Sequence, residues 1–137
     1  MPLSRRARKC LWVGLVAGSL TAISGSSTVF ERGFNTYSNA SKHELLGVPL
    51  EDITVFGAVS RQVASKMAEG ILMNAPVDLT AAVTGVAGPD GGSLEKPVGT
   101  VHIASAFADT ETLSQQFQFL GNRHQVRMNA VEAALNL

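Results

Sequence analysis

The chain contains 137 residues, a length that is typical of a single domain. Hydrophobic residues make up 45% of the sequence and charged residues 16%, so a disordered chain is excluded. Basic and acidic residues balance at 11 each, which leaves no net charge to attract nucleic acid or an anionic membrane. A single cysteine, Cys10, excludes an internal disulfide and a cysteine-based zinc cluster. The three histidines show no metal-ligand spacing, and we expect neither a metal nor a cofactor.

The N-terminal region combines a basic run with an apolar stretch. Four cations lie between positions 5 and 9, and the following residues 11–23 are mostly apolar. This order resembles a secretory signal, but no convincing small-x-small cleavage site follows Ile23. The stretch is also too short, and too rich in glycine, serine and threonine, for a membrane span. The favoured interpretation is a buried amphipathic helix over residues 11–23 in a cytoplasmic protein.

The next segment predicts a turn, a strand and a short helix. A cluster of serine and glycine at residues 24–27 predicts the turn. β-Branched and aromatic residues predict a strand over residues 28–37. Ser38 or Asn39 can then cap a helix that ends at Leu46, because the following glycine and proline stop it.

The second half of the chain alternates helices with strands. Ser60 caps a helix that runs to about Met73, and its apolar residues recur at four-residue spacing, which predicts one buried face. Three further strands are predicted at residues 79–83, 98–107 and 113–120. A glycine-rich loop occupies residues 85–92, and Asn122 caps a last helix. Helices and strands mixed in this way predict a layered α/β domain.

The first candidate site lies at the predicted strand-to-helix turn. Tyr37 and Lys42 place a phenol and an ammonium five residues apart. A lysine beside a cavity loses hydration, so its pKa falls and it can act as a base. The alternative is a tyrosine at a strand end and an exposed lysine at a helix start, which the spacing alone favours.

Two further segments can hold an anion. The loop from Thr84 to Gly92 is rich in glycine, so its backbone N–H groups can converge on a phosphate. It lacks the Walker lysine pattern, which argues against nucleotide hydrolysis of that type. Arg123, at the start of the last helix, also suits a phosphate. The alternatives are a plain loop between strands and a solvated surface charge.

Six motifs follow one another along the chain. They are Phe-Glu-Arg-Gly-Phe-x-Thr-Tyr-Ser-Asn from residue 30, Leu-Leu-Gly-Val from 45, Gly-Ala-Val-Ser from 57, Met-Ala-Glu-Gly from 67, Thr-Gly-Val-Ala-Gly-Pro-Asp-Gly-Gly from 84 and Glu-Lys-Pro-Val-Gly from 95. In this order they resemble one protein family, the CinA C-terminal domain, whose members include nicotinamide-nucleotide amidohydrolases. The match runs with little need for gaps from about Gly14 to the C-terminus. It divides the chain into a divergent segment, residues 1–13, and a domain, residues 14–137.

The resemblance implies a three-layer α/β/α domain with a mixed sheet, often a homodimer. It implies hydrolysis of the carboxamide of nicotinamide mononucleotide, a small-molecule nucleotide, to nicotinate mononucleotide and ammonia. In the family a serine nucleophile in a Ser-Cys-Thr-Gly-Gly turn is assisted by a tyrosine and a lysine, which Tyr37 and Lys42 match. No metal is implied. The residues expected near the substrate are Thr84, Gly85, Gly88 and Arg123.

The sequence departs from the family at the expected nucleophile. Alignment without gaps puts Cys10 at the serine position, and Trp12 and Val13 add bulk where the family has small residues. A cysteine can attack an amide, and Lys42 would favour its thiolate. The family strand before this turn is lost, because a buried central strand cannot carry four unpaired cations. The helix that normally precedes that strand is also missing.

Two explanations of this start remain open, a natural paralogue that has lost catalysis and a shifted reading frame upstream of Gly14. Three functions remain open with them. The chain is an amidohydrolase that uses Cys10 or another nucleophile, an impaired member that still binds a pyridine nucleotide or self-associates, or a truncated product without a role of its own.

Overall fold

The computed structural model describes residues 11–137, with the side chains from residue 14 onward. Residues 1–10, which include Cys10 and most of the divergent segment, lie outside the described residues. The elements within the described part are α1 (Leu11–Thr21), a 3₁₀ turn (Ser26–Thr28), α2 (Asn39–Leu46), α3 (Leu50–Phe56), α4 (Arg61–Asn74), β1 (Leu79–Gly85), β2 (Thr100–Phe107), β3 (Leu113–Gln118) and α5 (Arg123–Asn136). Among the helices described, none combines the length and the apolar character that a membrane crossing requires.

The three strands form one sheet in the order β1-β2-β3, and both pairs are antiparallel. The helices α2, α3 and α4 lie on one side of this sheet, where α4 packs on β1 and β2. The helices α1 and α5 lie on the other side and contact each other. The expected three-layer α/β/α class is therefore confirmed, although a mixed sheet was expected and the strands within residues 11–137 pair only in the antiparallel sense.

Each face of the sheet has its own apolar core, because side chains alternate along a strand. On the α4 side, Val63, Met67 and Leu46 pack against Ala82 and Ala104. The other core gathers Val101, Ile103, Val126, Ala130 and Ala134. Burial of these side chains orients the strands, so that every residue of β2 has a defined side.

The observed starts of these helices agree closely with those predicted from the sequence, because a capping residue acts within one helical turn. The side chains of Ser38, Ser60 and Asn122 accept hydrogen bonds from backbone N–H groups at the starts of α2, α4 and α5. A helix was also expected over residues 11–23, and α1 occupies most of that range. Its burial is lower than expected, since Val16 is only partly buried against the second core.

In the first half of the chain one prediction was wrong and one helix was missed. The expected strand over residues 28–37 is instead the end of the 3₁₀ turn followed by irregular backbone, with no ladder partner among the described residues. A strand requires such a partner, whatever its own composition. The helix α3 was missed, although Pro49 at its N-cap, Glu51 and Asp52 in its first turn and Gly57 at its C-cap are helix signals.

Candidate active site

Lys42 is positioned by the local structure of α2. The Ser38 hydroxyl accepts a hydrogen bond from the N–H of Ser41 at 3.1 Å, which starts the helix. Gly47 ends it with a φ of 67°, a left-handed conformation that glycine adopts without strain. The helix is therefore short and its orientation is set at both ends. It turns the Lys42 side chain inward, where the residue is only 5% exposed.

The Lys42 amine is held by two backbone carbonyl groups. Its Nζ donates to the oxygen of Thr36 at 2.7 Å and to the oxygen of Tyr37 at 3.0 Å. Burial lowers the pKa of Lys42, and no described carboxylate lies within ion-pair distance to oppose that effect. Two acceptors match the two N–H groups of a neutral amine, which leaves one lone pair to take a proton. The arrangement suits a general base.

Tyr37 meets Lys42 through its backbone. The carbonyl of Tyr37 accepts the hydrogen bond, whereas the residue itself is 50% exposed. The preceding residue, Thr36, is buried, and its hydroxyl has no hydrogen-bond partner among the described residues. Tyr37 and Lys42 therefore belong to the turn that leads from the irregular segment into α2, and the contact between them is made by a main-chain oxygen.

Thr84 and Gly85 lie at the end of β1. The Thr84 hydroxyl is buried and donates to the carbonyl of Ala58 at 2.8 Å, which ties the strand to the segment between α3 and α4. A Cβ at Gly85 would lie 2.8 Å from Cγ2 of Val101 and 2.9 Å from the oxygen of Thr100. Glycine at position 85 therefore allows β1 and β2 to approach closely at the point where the glycine-rich loop begins.

Gly88 and Arg123 contact each other directly. Arg123 Nη1 donates to the carbonyl oxygen of Gly88 at 2.8 Å, so the start of α5 is joined to the glycine-rich loop. Gly88 has a φ of 77°, and a Cβ there would lie 2.5 Å from Cγ1 of Val98. The Gly88–Pro89 peptide bond is cis. Arg123, an exposed residue, thus makes a part-buried hydrogen bond to the loop and also carries a positive charge.

The predicted site residues therefore form two groups. Lys42 and Tyr37 make up the first, and Thr84, Gly85, Gly88 and Arg123 surround the end of β1 and the start of α5. Within residues 14–137, no hydrogen bond or ion pair joins the first group to the second. Cys10 lies outside the described residues. The described part of the chain holds no cluster of potential metal ligands.

The sequence analysis did not single out His102, because it treated the three histidines as scattered along the chain. In the sheet register His102 is the direct partner of Thr84, so the two residues share the face that α4 covers. His102 is buried, and burial is the main cause that lowers its pKa, with a smaller effect from the charge of Lys96. The available signal was strand alternation, because residue 102 shares its parity with the small, buried residues 104 and 106.

Comparison with known proteins agrees with this architecture. The sequence profile of the CinA C-terminal domain matches residues 11–137. The nicotinamide-nucleotide amidohydrolase PncC of Enterobacter agglomerans is 52% identical over 122 residues, which cover 89% of this chain and 74% of that protein. PncC of Escherichia coli is 48% identical over the same shares of both chains. A CinA-like protein of Leptospira biflexa is 46% identical over 124 residues, and this chain spans 30% of its length.

Solved structures show the same fold. The competence/damage inducible protein CihA of Agrobacterium tumefaciens has a TM-score of 0.89 and 46% identity, with 93% of this chain and 78% of that chain covered. A CinA superfamily protein of Escherichia coli has a TM-score of 0.86 and 30% identity, with 98% and 83% covered. Sequence profile, relatives and fold agree, and this chain belongs to the CinA C-terminal domain family.

Proposed function

We propose that this chain is a nicotinamide-nucleotide amidohydrolase with impaired catalysis, which converts nicotinamide mononucleotide to nicotinate mononucleotide and ammonia. The observation that carries the proposal is the buried Lys42 amine, held by two carbonyl oxygens and without an ion-pair partner among the described residues. The names of the two PncC relatives support the reaction class. The substrate is a small-molecule nucleotide, and neither nucleic acid nor a membrane takes part.

The proposed reaction uses Cys10 as nucleophile and Lys42 as base. Lys42 takes the proton of the Cys10 thiol, and the sulfur attacks the carboxamide carbon. The resulting oxyanion collapses, the carbon–nitrogen bond breaks, and the proton held by Lys42 leaves with ammonia. Water then attacks the thioester, which releases the carboxylate product and restores the thiol. Tyr37 assists by fixing the amine through its carbonyl oxygen.

The second group of residues would hold the nucleotide. Arg123 carries the positive charge that suits a phosphate, and its bond to Gly88 fixes it beside the glycine-rich loop. Thr84 and Gly85 form the end of the strand from which that loop departs. The domain from residue 14 to 137 would supply this binding function, as a monomer or as the homodimer that the family resemblance implies.

The impairment follows from the sequence at the nucleophile. Cys10 replaces the family serine, and Trp12 and Val13 place large side chains where small ones approach the substrate. Ammonia release from nicotinamide mononucleotide tests the proposal. We expect slow ammonia release from the wild-type chain. Cys10→Ser should change this rate and Lys42→Met should abolish it. Lys66→Met, at an exposed lysine of α4, should leave the rate unchanged. Turnover near 10 per second, an ordinary enzymatic rate, contradicts the impairment. A rate unaffected by Lys42→Met contradicts the base.

One observation favours a second candidate, a family member that binds the nucleotide without cleaving it. The contact between Arg123 and Gly88 does not involve residues 1–13, so binding can persist where the nucleophile is lost. A bound ligand stabilises the native state by mass action. This candidate is supported if nicotinate mononucleotide raises the unfolding temperature and no ammonia is released from nicotinamide mononucleotide. Ammonia release that depends on Lys42 selects the amidohydrolase.

A further inference from the structure

A cavity of about 280 Å³ lies between the start of α4 and the face of β2 and β3. Its lining includes Arg61 and Gln62 of α4, His102 of β2 and Gln116 of β3, together with Glu95 and Lys96 from the preceding loop. Neither Lys42 nor Arg123 contributes to this lining, and Thr84 is absent from it as well. The cavity is therefore a neighbour of the candidate active site and has a lining of its own.

The charges around the cavity favour an anion. Arg61 and Lys96 contribute two positive charges, and Glu95 is the carboxylate that opposes them. Neither cation makes an ion pair within residues 14–137. Their fixed contacts are to neutral groups, since Arg61 Nε donates to the Ser114 hydroxyl at 2.7 Å and Lys96 Nζ donates to the carbonyl of Phe56. Both cations thus retain their charge for a ligand.

The start of α4 adds backbone donors to the same space. The Ser60 hydroxyl accepts from the N–H of Val63, and the Ser60 carbonyl accepts from the N–H of Ala64. The N–H groups of Arg61 and Gln62 belong to the first turn, which has no acceptors within the helix. A helix of 14 residues also carries a partial positive charge at this end.

His102 gives an independent indication of a ligand. The residue is only 7% exposed, it lines the cavity, and its Nδ1 has no hydrogen-bond partner among the described residues. Buried polar atoms are nearly always paired, and an unpaired one commonly marks a missing ion or water. Burial, and to a smaller extent the charge of Lys96, lowers the pKa of His102, which favours the neutral ring. An anion in the cavity would counter Lys96 and favour the protonated ring.

We propose that this cavity binds a tetrahedral oxyanion of the phosphate class, held by Arg61, Lys96 and His102 at the start of α4. The lining shares no residue with the proposed amide-cleavage site, and the inference does not rest on the proposed function. Its ligand is either a free inorganic oxyanion or the phosphate group of a nucleotide, which present the same oxygens. The experiments below separate these two sources.

Thermal unfolding of the full chain with inorganic phosphate, at constant ionic strength, tests the proposal. We expect the midpoint to rise by about 5 °C at ten times the dissociation constant. Arg61→Gln and His102→Phe should each weaken phosphate binding about tenfold, the loss expected for one charge-assisted contact. Lys66→Gln removes an exposed charge from the same helix outside the cavity and should leave binding unchanged. Equal phosphate affinity in all four proteins overturns the proposal.

A second measurement on the wild-type chain remains decisive if a variant fails to fold. Sulfate keeps its double charge between about pH 5 and pH 7, the range in which histidine titrates. Sulfate should raise the pKa of His102, followed by the NMR signals of its ring, and leave His124 unaffected. An unshifted His102 at saturating sulfate overturns the proposal. Titration with nicotinate mononucleotide identifies the source, because only a nucleotide phosphate in this cavity makes its affinity depend on Arg61.

Discussion

Lys42 Nζ lies 2.7 Å from the carbonyl oxygen of Thr36, a residue six positions earlier in the chain. This contact closes the turn between an irregular segment and α2, and it keeps a buried amine directed at the main chain. The amine is supported by backbone atoms, so no acidic side chain is needed to hold it. An amine in this setting is more easily deprotonated than one in water, which is what a general base requires.

The lowered pKa of Lys42 predicts a pH dependence of stability. Between that lowered pKa and 10.5, the unfolded chain binds more protons than the native one at this position, so the free energy of unfolding rises with pH. Lys42→Met should remove this contribution, while Lys66→Met at an exposed site should retain it. Urea unfolding at several pH values from about 7 to 10 measures the slopes. Equal slopes in the wild type and Lys42→Met would contradict the prediction.

Gly88 and Gly91 provide a matched test of the loop. Both have positive φ angles, 77° and 81°, but a Cβ at Gly88 meets Val98 at 2.5 Å, whereas at Gly91 the nearest atom is 3.9 Å away. Gly91→Ala should therefore cost about 1 kcal/mol from backbone strain alone. Gly88→Ala should cost roughly 3 kcal/mol, because the clash adds to that strain. Chemical denaturation measures both, and equal losses would show that the contact with Val98 is unimportant.

Arg123 should contribute to stability as well as to ligand binding. Arg123→Met leaves the part-buried carbonyl of Gly88 without its donor, which should lower the free energy of unfolding by about 1 kcal/mol. The affinity for nicotinate mononucleotide should fall about tenfold with the lost charge. Arg32→Met is the control, since Arg32 is an exposed partner of its neighbour Glu31. Calorimetric titration that finds the same affinity in Arg123→Met would remove Arg123 from the site.

The capping box of α5 gives a prediction about stability alone. Asn122 accepts from the N–H of Gln125 at 3.0 Å, and the Gln125 side chain accepts from the N–H of Asn122 at 2.8 Å. Asn122→Ala should therefore destabilise the protein by about 1 kcal/mol. Asn129→Ala, at an exposed position inside the same helix, should be neutral or slightly stabilising because alanine favours helices. Thermal unfolding of both variants compares them, and an equal effect would show that the cap is redundant.

Predictions that depended on neighbouring residues agreed with the structure. The caps at Ser38, Ser60 and Asn122 and the C-terminal glycine at position 47 act within one helical turn, so their residue types reveal them directly. The strand over residues 28–37 failed for the opposite reason. Its composition suited a strand, but a strand exists only through hydrogen bonds to another segment.

The amino-acid sequence by itself determined the family resemblance, the layered α/β class and most of the helix starts, because these depend on ordered motifs and on contacts a few residues apart. Tertiary structure alone decided that Arg123 reaches Gly88, that His102 stands opposite Thr84, and that Tyr37 meets Lys42 through its carbonyl oxygen. Such relationships follow from sheet register and from burial on a particular face, and both are set by the packing of segments that are distant along the chain.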